Sequence, residues 1–79
     1  MKTTAERTRE AIAEIAGCSI EQAADDKHLA NDLDLDSLDR YELTLELEDE
    51  FGIDIPDEEA DHLNTVGEIV ALVESKVKS

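Results

Sequence analysis

Side chains suited to a core recur every three or four positions in this 79-residue chain, and this spacing constrains its fold more than any other feature. Such a spacing places side chains on one face of a helix. In the first segment the spaced residues are Ala5, Thr8, Ile12 and Ile15. In the last segment they are Val66, Ile69, Val70, Val73 and Val77. The pattern predicts an all-α chain, because the only strand-like piece, residues 53–55, is too short to pair.

Capping residues predict where the first helix ends and where the second begins and ends. Gly17 is a natural stop for the first helix. Asp36 can cap a second helix, and Asp39 three residues later makes a weaker form of the capping box. We expect this second helix over residues 37–51, with Gly52 as its stop.

The rest of the chain adds a short helix and a final long one. Pro56, followed by three acidic residues, suits the first turn of a short third helix. Thr65 and Glu68 form a capping box ahead of the last helix. Residues 17–36 form a long connection, and we expect its apolar side chains to pin it to the core: Ile20, Leu29, Leu33 and Leu35. At this length we expect one domain that covers residues 1–79.

The charge is strongly acidic and unevenly distributed. The chain has 22 acidic and 7 basic residues, a net charge of -15, and between residues 28 and 65 fourteen acids accompany a single base, Arg40. Such a surface repels nucleic acid and anionic membranes and attracts basic protein surfaces. A charge that serves only for solubility is the alternative.

The predicted compartment follows from three further features. No apolar run approaches the ~20 residues of a membrane span, and the N-terminal segment lacks the apolar stretch of a secretory signal. The single cysteine, Cys18, allows no internal disulfide, and we expect it to be a buried or half-buried thiol. We expect a monomeric, cytoplasmic protein.

The second helix carries two apolar stripes on nearly opposite sides. At about 100° per residue, Leu43, Leu47 and Phe51 fall on one side. The other stripe consists of Leu38, Tyr41 and Leu45. Only one side can face the core of a small bundle, and we expect that side to be the first stripe.

Acidic residues frame the second stripe: Glu42, Glu48 and Asp49. An apolar strip with an acidic rim is typical of a surface that docks a basic partner. The alternative is a helix buried on both sides, but it would bury unpaired carboxylates, which is costly.

Ser37 begins the second helix among aspartates, with no base beside it. A serine nucleophile needs a base, a group that orients the base, and an oxyanion hole. The chain has no G-x-S-x-G elbow, and we interpret its two histidines, His28 and His62, as surface or loop residues. The residues therefore argue against an enzyme with a catalytic serine.

The aspartates before Ser37 resemble only the start of a calcium loop. Asp32, Asp34 and Asp36 have the first spacings of an EF-hand, but Ser37 stands where Gly is needed and Leu43 where Glu is needed. We predict no metal site, and leave weak divalent binding by the acids as an alternative.

A modification would suit Ser37 better than catalysis. The N-terminus of a helix favours an anion such as a phosphate ester, and an acceptor serine needs no base because a modifying enzyme can supply it. From the residues alone, an attachment site and an ordinary first helical residue remain equal alternatives.

Residues 33–73, "LDLDSLDRYELTLELEDEFGIDIPDEEADHLNTVGEIVALV", resemble the acyl carrier proteins of bacterial type II fatty acid synthesis. The likeness is carried by "DSLD" at 36–39, "EL" at 42–43, "LEDEFGIDIPDEEA" at 47–60 and "TVGEIV" at 65–70. It implies a four-helix bundle with three long helices and a short third one. It also implies a carrier with no catalysis of its own, whose acyl chain lies in the apolar centre of the bundle.

The resemblance implies roles for individual residues. Ser37, flanked by Asp36 and Leu38, would carry 4′-phosphopantetheine as a phosphodiester, and the thiol of that arm would hold acyl chains as thioesters in fatty acid or related lipid biosynthesis. The residues implied in partner docking are Asp39, Tyr41, Glu42, Leu45, Glu48 and Asp49, with Asp36 and Leu38 beside them. The partners would be basic patches of fatty acid or polyketide synthesis enzymes, acyltransferases and phosphopantetheinyl transferase.

The chain departs from the family pattern near Ser37. Asp34 stands where the family usually has Gly, Tyr41 replaces a small or aliphatic residue beside Arg40, and Leu45 stands where Met is common. These departures favour, as an alternative, a specialised carrier for polyketide or modified-lipid synthesis. The alternative from another class is an acidic protein-interaction module that is never modified.

Overall fold

A computed structural model describes residues 2–78 of the chain. Four helices follow in order: α1 (Thr4–Ala16), α2 (Ser37–Phe51), α3 (Asp57–Ala60) and α4 (Val66–Lys78). Within residues 2–78 there is no strand, and only an isolated bridge joins His28 to Thr65. The predicted all-α bundle is confirmed, including the short third helix and the long connection after α1.

Reciprocal caps set the start of α2 and its glycine sets the end. The Asp36 carboxylate accepts a hydrogen bond from the Asp39 N–H at 2.8 Å, and the Asp39 carboxylate accepts one from the Asp36 N–H at 3.3 Å. Gly52 ends the helix with a φ of 65°, a left-handed conformation that costs glycine little. The predicted bounds of α2 are therefore confirmed.

The same reciprocal capping opens the other two long helices. The predicted pair before α4 is present, since the Thr65 hydroxyl accepts from the Glu68 N–H at 3.2 Å and the Glu68 carboxylate accepts from the Thr65 N–H at 3.0 Å. A box between Thr3 and Glu6 caps α1 and was not predicted, although "TTAE" carries its sequence signature.

The core is aliphatic, and α1 packs against both α2 and α4. The largest fully buried side chains are Ile12, Leu29, Leu43, Leu47, Val66, Val73 and Thr8. The prediction that Leu43 and Leu47 form the core side of α2 is confirmed, and half-buried Phe51 packs against that core under the Arg7 guanidinium of α1.

Ile20, which was expected to pin the connection to the core, and Val77, the last residue of the α4 repeat, are both exposed. Ile20 lies in a turn of the long connection and is 40% exposed, so that expectation is wrong for this residue. Val77 lies in the last turn of α4 and is 42% exposed, beyond the last buried residue of that helix, Val73. Ala23, which the pattern did not single out, is fully buried in the connection instead.

The long connection is tied to the start of α4 by its backbone. The Leu29 N–H donates to the Asn64 carbonyl at 2.8 Å, and the Gly67 N–H donates to the Asp25 carbonyl at 2.9 Å. A Cβ at Gly67 would lie 3.1 Å from that same carbonyl oxygen, so the close approach favours glycine. As predicted, Leu29 and Leu35 are buried, and Leu33 is partly buried.

None of the helices in the described part of the chain combines the length and the hydropathy needed to cross a lipid bilayer.

Candidate functional site

Ser37 is the first residue of α2 and is exposed. The preceding Asp36 is extended, with φ -90° and ψ -176°, and its carbonyl accepts the Arg40 N–H at 3.0 Å. Asp36 is therefore the N-cap, and Ser37 follows it as the first helical residue, with its side chain at the N-terminal end of α2. A modifying enzyme can reach a hydroxyl in this position without unfolding the bundle.

The first backbone N–H groups of α2 are available to an anion. In the described residues, the N–H groups of Ser37 and Leu38 donate to no protein acceptor, whereas those of Asp39 and Arg40 are used by Asp36. Two free N–H groups and the positive end of the helix dipole favour a phosphate attached here by roughly 0.3–1 kcal/mol. The capping carboxylate of Asp36 opposes part of this attraction.

Asp34 adopts a left-handed conformation with a φ of 59°, which no other non-glycine residue between positions 2 and 78 does. Asp and Gly are among the residues that tolerate this conformation best. The turn at Asp34 lets Leu35 enter the core while Asp36 and Ser37 stay exposed. The departure from glycine at position 34 thus falls where the backbone requires a permissive residue.

A cavity of about 260 Å³ lies beside Ser37, between α2 and residues 56–63, which we call the cover segment. Its buried aliphatic wall consists of Leu29, Leu43, Leu47, Ile55 and Ile69. The remaining lining residues are half-buried or exposed: Ser37, Arg40, Tyr41, Thr44, Asp57, Ala60, Asp61 and Leu63. Ser37 lies at the exposed, more polar side of the cavity, which we call its mouth. A largely apolar chain attached to Ser37 could therefore pass through this mouth and contact the buried aliphatic wall.

Side chains of α2 hold the cover segment and its approach in place. The Arg40 Nη2 donates to the carbonyl oxygen of Ala60 at 3.2 Å and also to that of Leu63. The Glu48 carboxylate accepts the Ile55 N–H at 2.7 Å, just before the cover segment. These bonds were not predicted. The sequence signal was that Arg40 is the single base among fourteen acids between residues 28 and 65, which sets it apart from its neighbours.

The second stripe of α2 is exposed, as predicted. Leu38 is 67%, Tyr41 54% and Leu45 47% exposed. Glu42 and Asp49 are exposed near it, but Asp39 and Glu48 are half-buried and bonded to backbone N–H groups. The stripe itself is confirmed as a surface feature, and its role in docking remains a prediction.

The other candidate residues lie in the connections. His28 is in the long connection, where its Nδ1 accepts the N–H groups of Ala30 and Asn31 at 3.2 Å, and His62 is exposed after α3. Both histidines are loop residues, as predicted. Cys18 is a free, half-buried thiol, also as predicted.

The aspartates before Ser37 do not converge. Asp32 accepts the His28 N–H at 2.7 Å, and in residues 2–78 no three His, Cys, Asp or Glu side chains group as metal ligands. Weak divalent binding by the acids stays an untested alternative.

Two carboxyl groups outside the site have perturbed pKa values. Hydrogen bonds from the Asn64 N–H and the Thr65 side chain hold the pKa of Glu68 below its ordinary value, in keeping with its role as a cap. Burial, with the neighbouring charges of Glu14 and Glu50, raises the pKa of Glu46.

The family model for the phosphopantetheine attachment site matches residues 6–73, which include α2, α3 and most of α1 and α4. Domains of this family carry 4′-phosphopantetheine covalently, so the predicted cofactor is confirmed. A domain of this kind is a carrier that is not catalytic by itself. The chain therefore belongs to the phosphopantetheine-attachment family of carrier domains.

Proposed function

We propose that Ser37 is the attachment residue and that the protein carries acyl chains as thioesters in fatty acid biosynthesis or a related lipid pathway. The observation that supports this most strongly is the position of Ser37. Its exposed hydroxyl begins α2 and lines the mouth of the cavity. A modifying enzyme can therefore reach Ser37 from solvent, and a chain attached to Ser37 can enter the adjacent cavity.

The other serines in the described residues lack this combination. Ser19 is engaged in a turn, where its hydroxyl bonds to Gln22, and Ser75 lies on α4. Neither lines the cavity beside Ser37. Ser37 is also the serine of the "DSLD" segment on which the family resemblance rests.

The residues around Ser37 fit the 4′-phosphopantetheine group. The N–H groups of Ser37 and Leu38 can stabilise its phosphodiester, and the cavity begins at Ser37 and extends along α2 as far as Leu47. When attached, the arm supplies a terminal thiol that holds an acyl group as a thioester. The aliphatic wall of the cavity can then bury the chain of that acyl group, at about 0.8 kcal/mol for each methylene removed from water.

The exposed stripe of α2 supports recognition by partner enzymes. Leu38 is next to Ser37, and Tyr41 and Leu45 continue the apolar strip along the helix. Exposed acids such as Glu42 and Asp49 would steer basic surfaces toward it. A partner docked on this strip would meet the arm where it leaves Ser37.

A specialised carrier, serving polyketide or modified-lipid synthesis, is the second candidate. Arg40, Tyr41 and Thr44, which line the cavity, carry a guanidinium and two hydroxyl groups. The Thr44 hydroxyl donates to the Arg40 carbonyl at 2.9 Å and can still accept a hydrogen bond. Such groups can bond to oxygen substituents of a cargo, which a plain saturated chain does not have.

Intact-mass spectrometry after incubation with coenzyme A, magnesium and a broad-specificity phosphopantetheinyl transferase tests the proposal. We expect the mass of one arm to be added to the protein and to Ser75→Ala, the matched control, and none to Ser37→Ala. An unmodified wild-type chain would favour the rival interaction module, and a modified Ser37→Ala variant would refute Ser37 as the attachment residue.

A further inference from the structure

Arg40 is the side chain that joins the two sides of the cavity. It begins on α2, one turn after Ser37, and it lines the cavity. Its Nη2 donates to the carbonyl oxygens of Ala60 and Leu63, which lie on the cover segment and also line the cavity. In the part of the chain that is described, no other cavity-lining side chain bonds to the opposite side.

The other side chains that bond to this region do not line the cavity themselves. Glu48 fixes Ile55, just before the cover segment, and Lys76 of α4 pairs with Glu59 at 3.0 Å. None of Glu48, Lys76 and Glu59 lines the cavity. Arg40 therefore controls the distance between the cover segment and α2 at the point where a cargo would have to pass.

We propose that Arg40 is a specificity-determining residue, which clamps the cover segment against α2 and so limits the length of acyl chain that the cavity shelters. The inference rests on the proposed function, because it concerns the cargo of an arm on Ser37. It adds a role to a residue that the family resemblance left without one.

The size of the cavity supports this limit. Its volume of about 260 Å³ lies below the roughly 300–1,000 Å³ of common ligand pockets. Interiors are close-packed, so once the space is full each further methylene must stay in water at the mouth or push a wall outward. The cover segment carries only one turn of helix, with no buried residue in α3, so displacing it disrupts less packing than displacing the buried aliphatic wall. Moving the cover segment breaks two hydrogen bonds from a charged donor, which are stronger than neutral ones.

Amide hydrogen exchange on the unmodified protein tests the clamp without any arm. The variant Arg40→Met keeps an apolar stem and removes the donors, and Arg9→Met is the control, because it removes a 2.6 Å pair with Asp25 outside the cavity. We expect exchange at Ala60 and Asp61 to accelerate about tenfold or more in Arg40→Met, with α1 amides unaffected. Unchanged exchange in Arg40→Met, or equal acceleration in Arg9→Met, would overturn the clamp.

The effect on cargo is tested by loading saturated acyl chains of increasing length and measuring Tm. In the wild type the gain in Tm should stop rising once the cavity is full, and in Arg40→Met it should continue to rise for longer chains. A plateau at the same chain length in both proteins would overturn the limit on length. If Arg40→Met does not fold, as judged by circular dichroism, Arg40→Lys takes its place, with a smaller shift of the plateau expected.

The two proposals fail in different ways. A chain that accepts no arm refutes the proposed function and, with it, the statement about cargo length. The exchange measurement still decides whether Arg40 holds the cover segment. A chain that loads normally but shows no dependence on Arg40 leaves the carrier function intact and refutes the clamp.

Discussion

The α1–α4 side of the bundle and the α2–α3 side are built differently. Where α1 meets α4, Ile12, Val66 and Val73 have no exposed surface. Beside α2 and α3 there is a cavity, and α3 contributes no buried residue. The first side is closely packed, which stabilises a small fold. The second side is less closely packed, because a cavity lies beside Ser37.

Polar contacts compensate for this looser side. Arg40 and Glu48 reach from α2 to backbone groups of residues 55, 60 and 63. A side chain bonded to a backbone group can hold a segment in place without filling the space beneath it. The difference teaches that the two walls of the cavity contribute unequally to stability, because its aliphatic wall belongs to the core whereas no residue of the cover segment is fully buried. The following predictions test this difference.

The largest expected effect is on the packed side. Ile12→Ala removes a side chain with no exposed surface and should lower the free energy of unfolding by about 2–5 kcal/mol. Leu45→Ala, on the exposed stripe, should change it by no more than about 0.5 kcal/mol. Urea denaturation of both variants measures the difference, and similar losses would show that the exposed stripe is part of the core.

Adding the same bulk to each side should have unequal consequences for stability. Ala11 is buried on α1, so Ala11→Leu should lower the free energy of unfolding by about 1–3 kcal/mol through overpacking. Ala60 lines the cavity, so Ala60→Leu should cost far less and should reduce the gain in Tm from a loaded acyl chain. An equal loss of stability in the two variants would contradict the claim that the α2–α3 side has room that the α1–α4 interface lacks.

Charge reversal on the exposed stripe should change rates and not stability. Glu42→Lys should slow loading by phosphopantetheinyl transferase severalfold at low salt and flatten its salt dependence, because the acid steers a basic partner. Glu21→Lys, an exposed reversal in the long connection, is the control. Equal loading rates for Glu42→Lys and wild type at low salt would rule out steering by this residue. Glu48 is unsuitable for the test, because its reversal would also break the bond to Ile55.

The smallest expected effect is a pH-dependent one at the junction of the two sides. Because burial and neighbouring acids raise the pKa of Glu46, folding favours its protonated form, and this contribution is lost as pH rises through the folded pKa. Glu46→Gln should therefore stabilise the protein slightly at about pH 7, by no more than about 0.5 kcal/mol, and should lose this advantage in acid. Thermal unfolding at several pH values, with Glu42→Gln as the exposed control, would contradict this if the gain grew toward low pH.

Local sequence signals predicted the helices well, because caps and glycine stops act within a few residues. Asp36, Asp39 and Gly52 specified both ends of α2. Apolar character and periodicity alone could not tell which residues the neighbouring elements cover, so they did not reveal that Ile20 and Val77 are exposed.

The candidate site was predictable only in part. Ser37 and the two stripes of α2 are properties of one helix, so the sequence sufficed to propose them. The cavity and the Arg40 bonds depend on where residues 55–63 pack against α2. The two carbonyls that Arg40 binds lie twenty or more positions after it in the sequence. No short-range pattern contains that information, and the left-handed turn at Asp34 could be suspected only because glycine is usual there.

Fragment mass spectrometry of the singly loaded wild-type protein tests the central claim most directly, because it locates the arm on the chain. We expect every fragment that gains the mass of 4′-phosphopantetheine to contain Ser37 and every fragment without Ser37 to keep its unmodified mass. An arm located on Ser19 or Ser75 would contradict the assignment of the attachment residue to the mouth of the cavity.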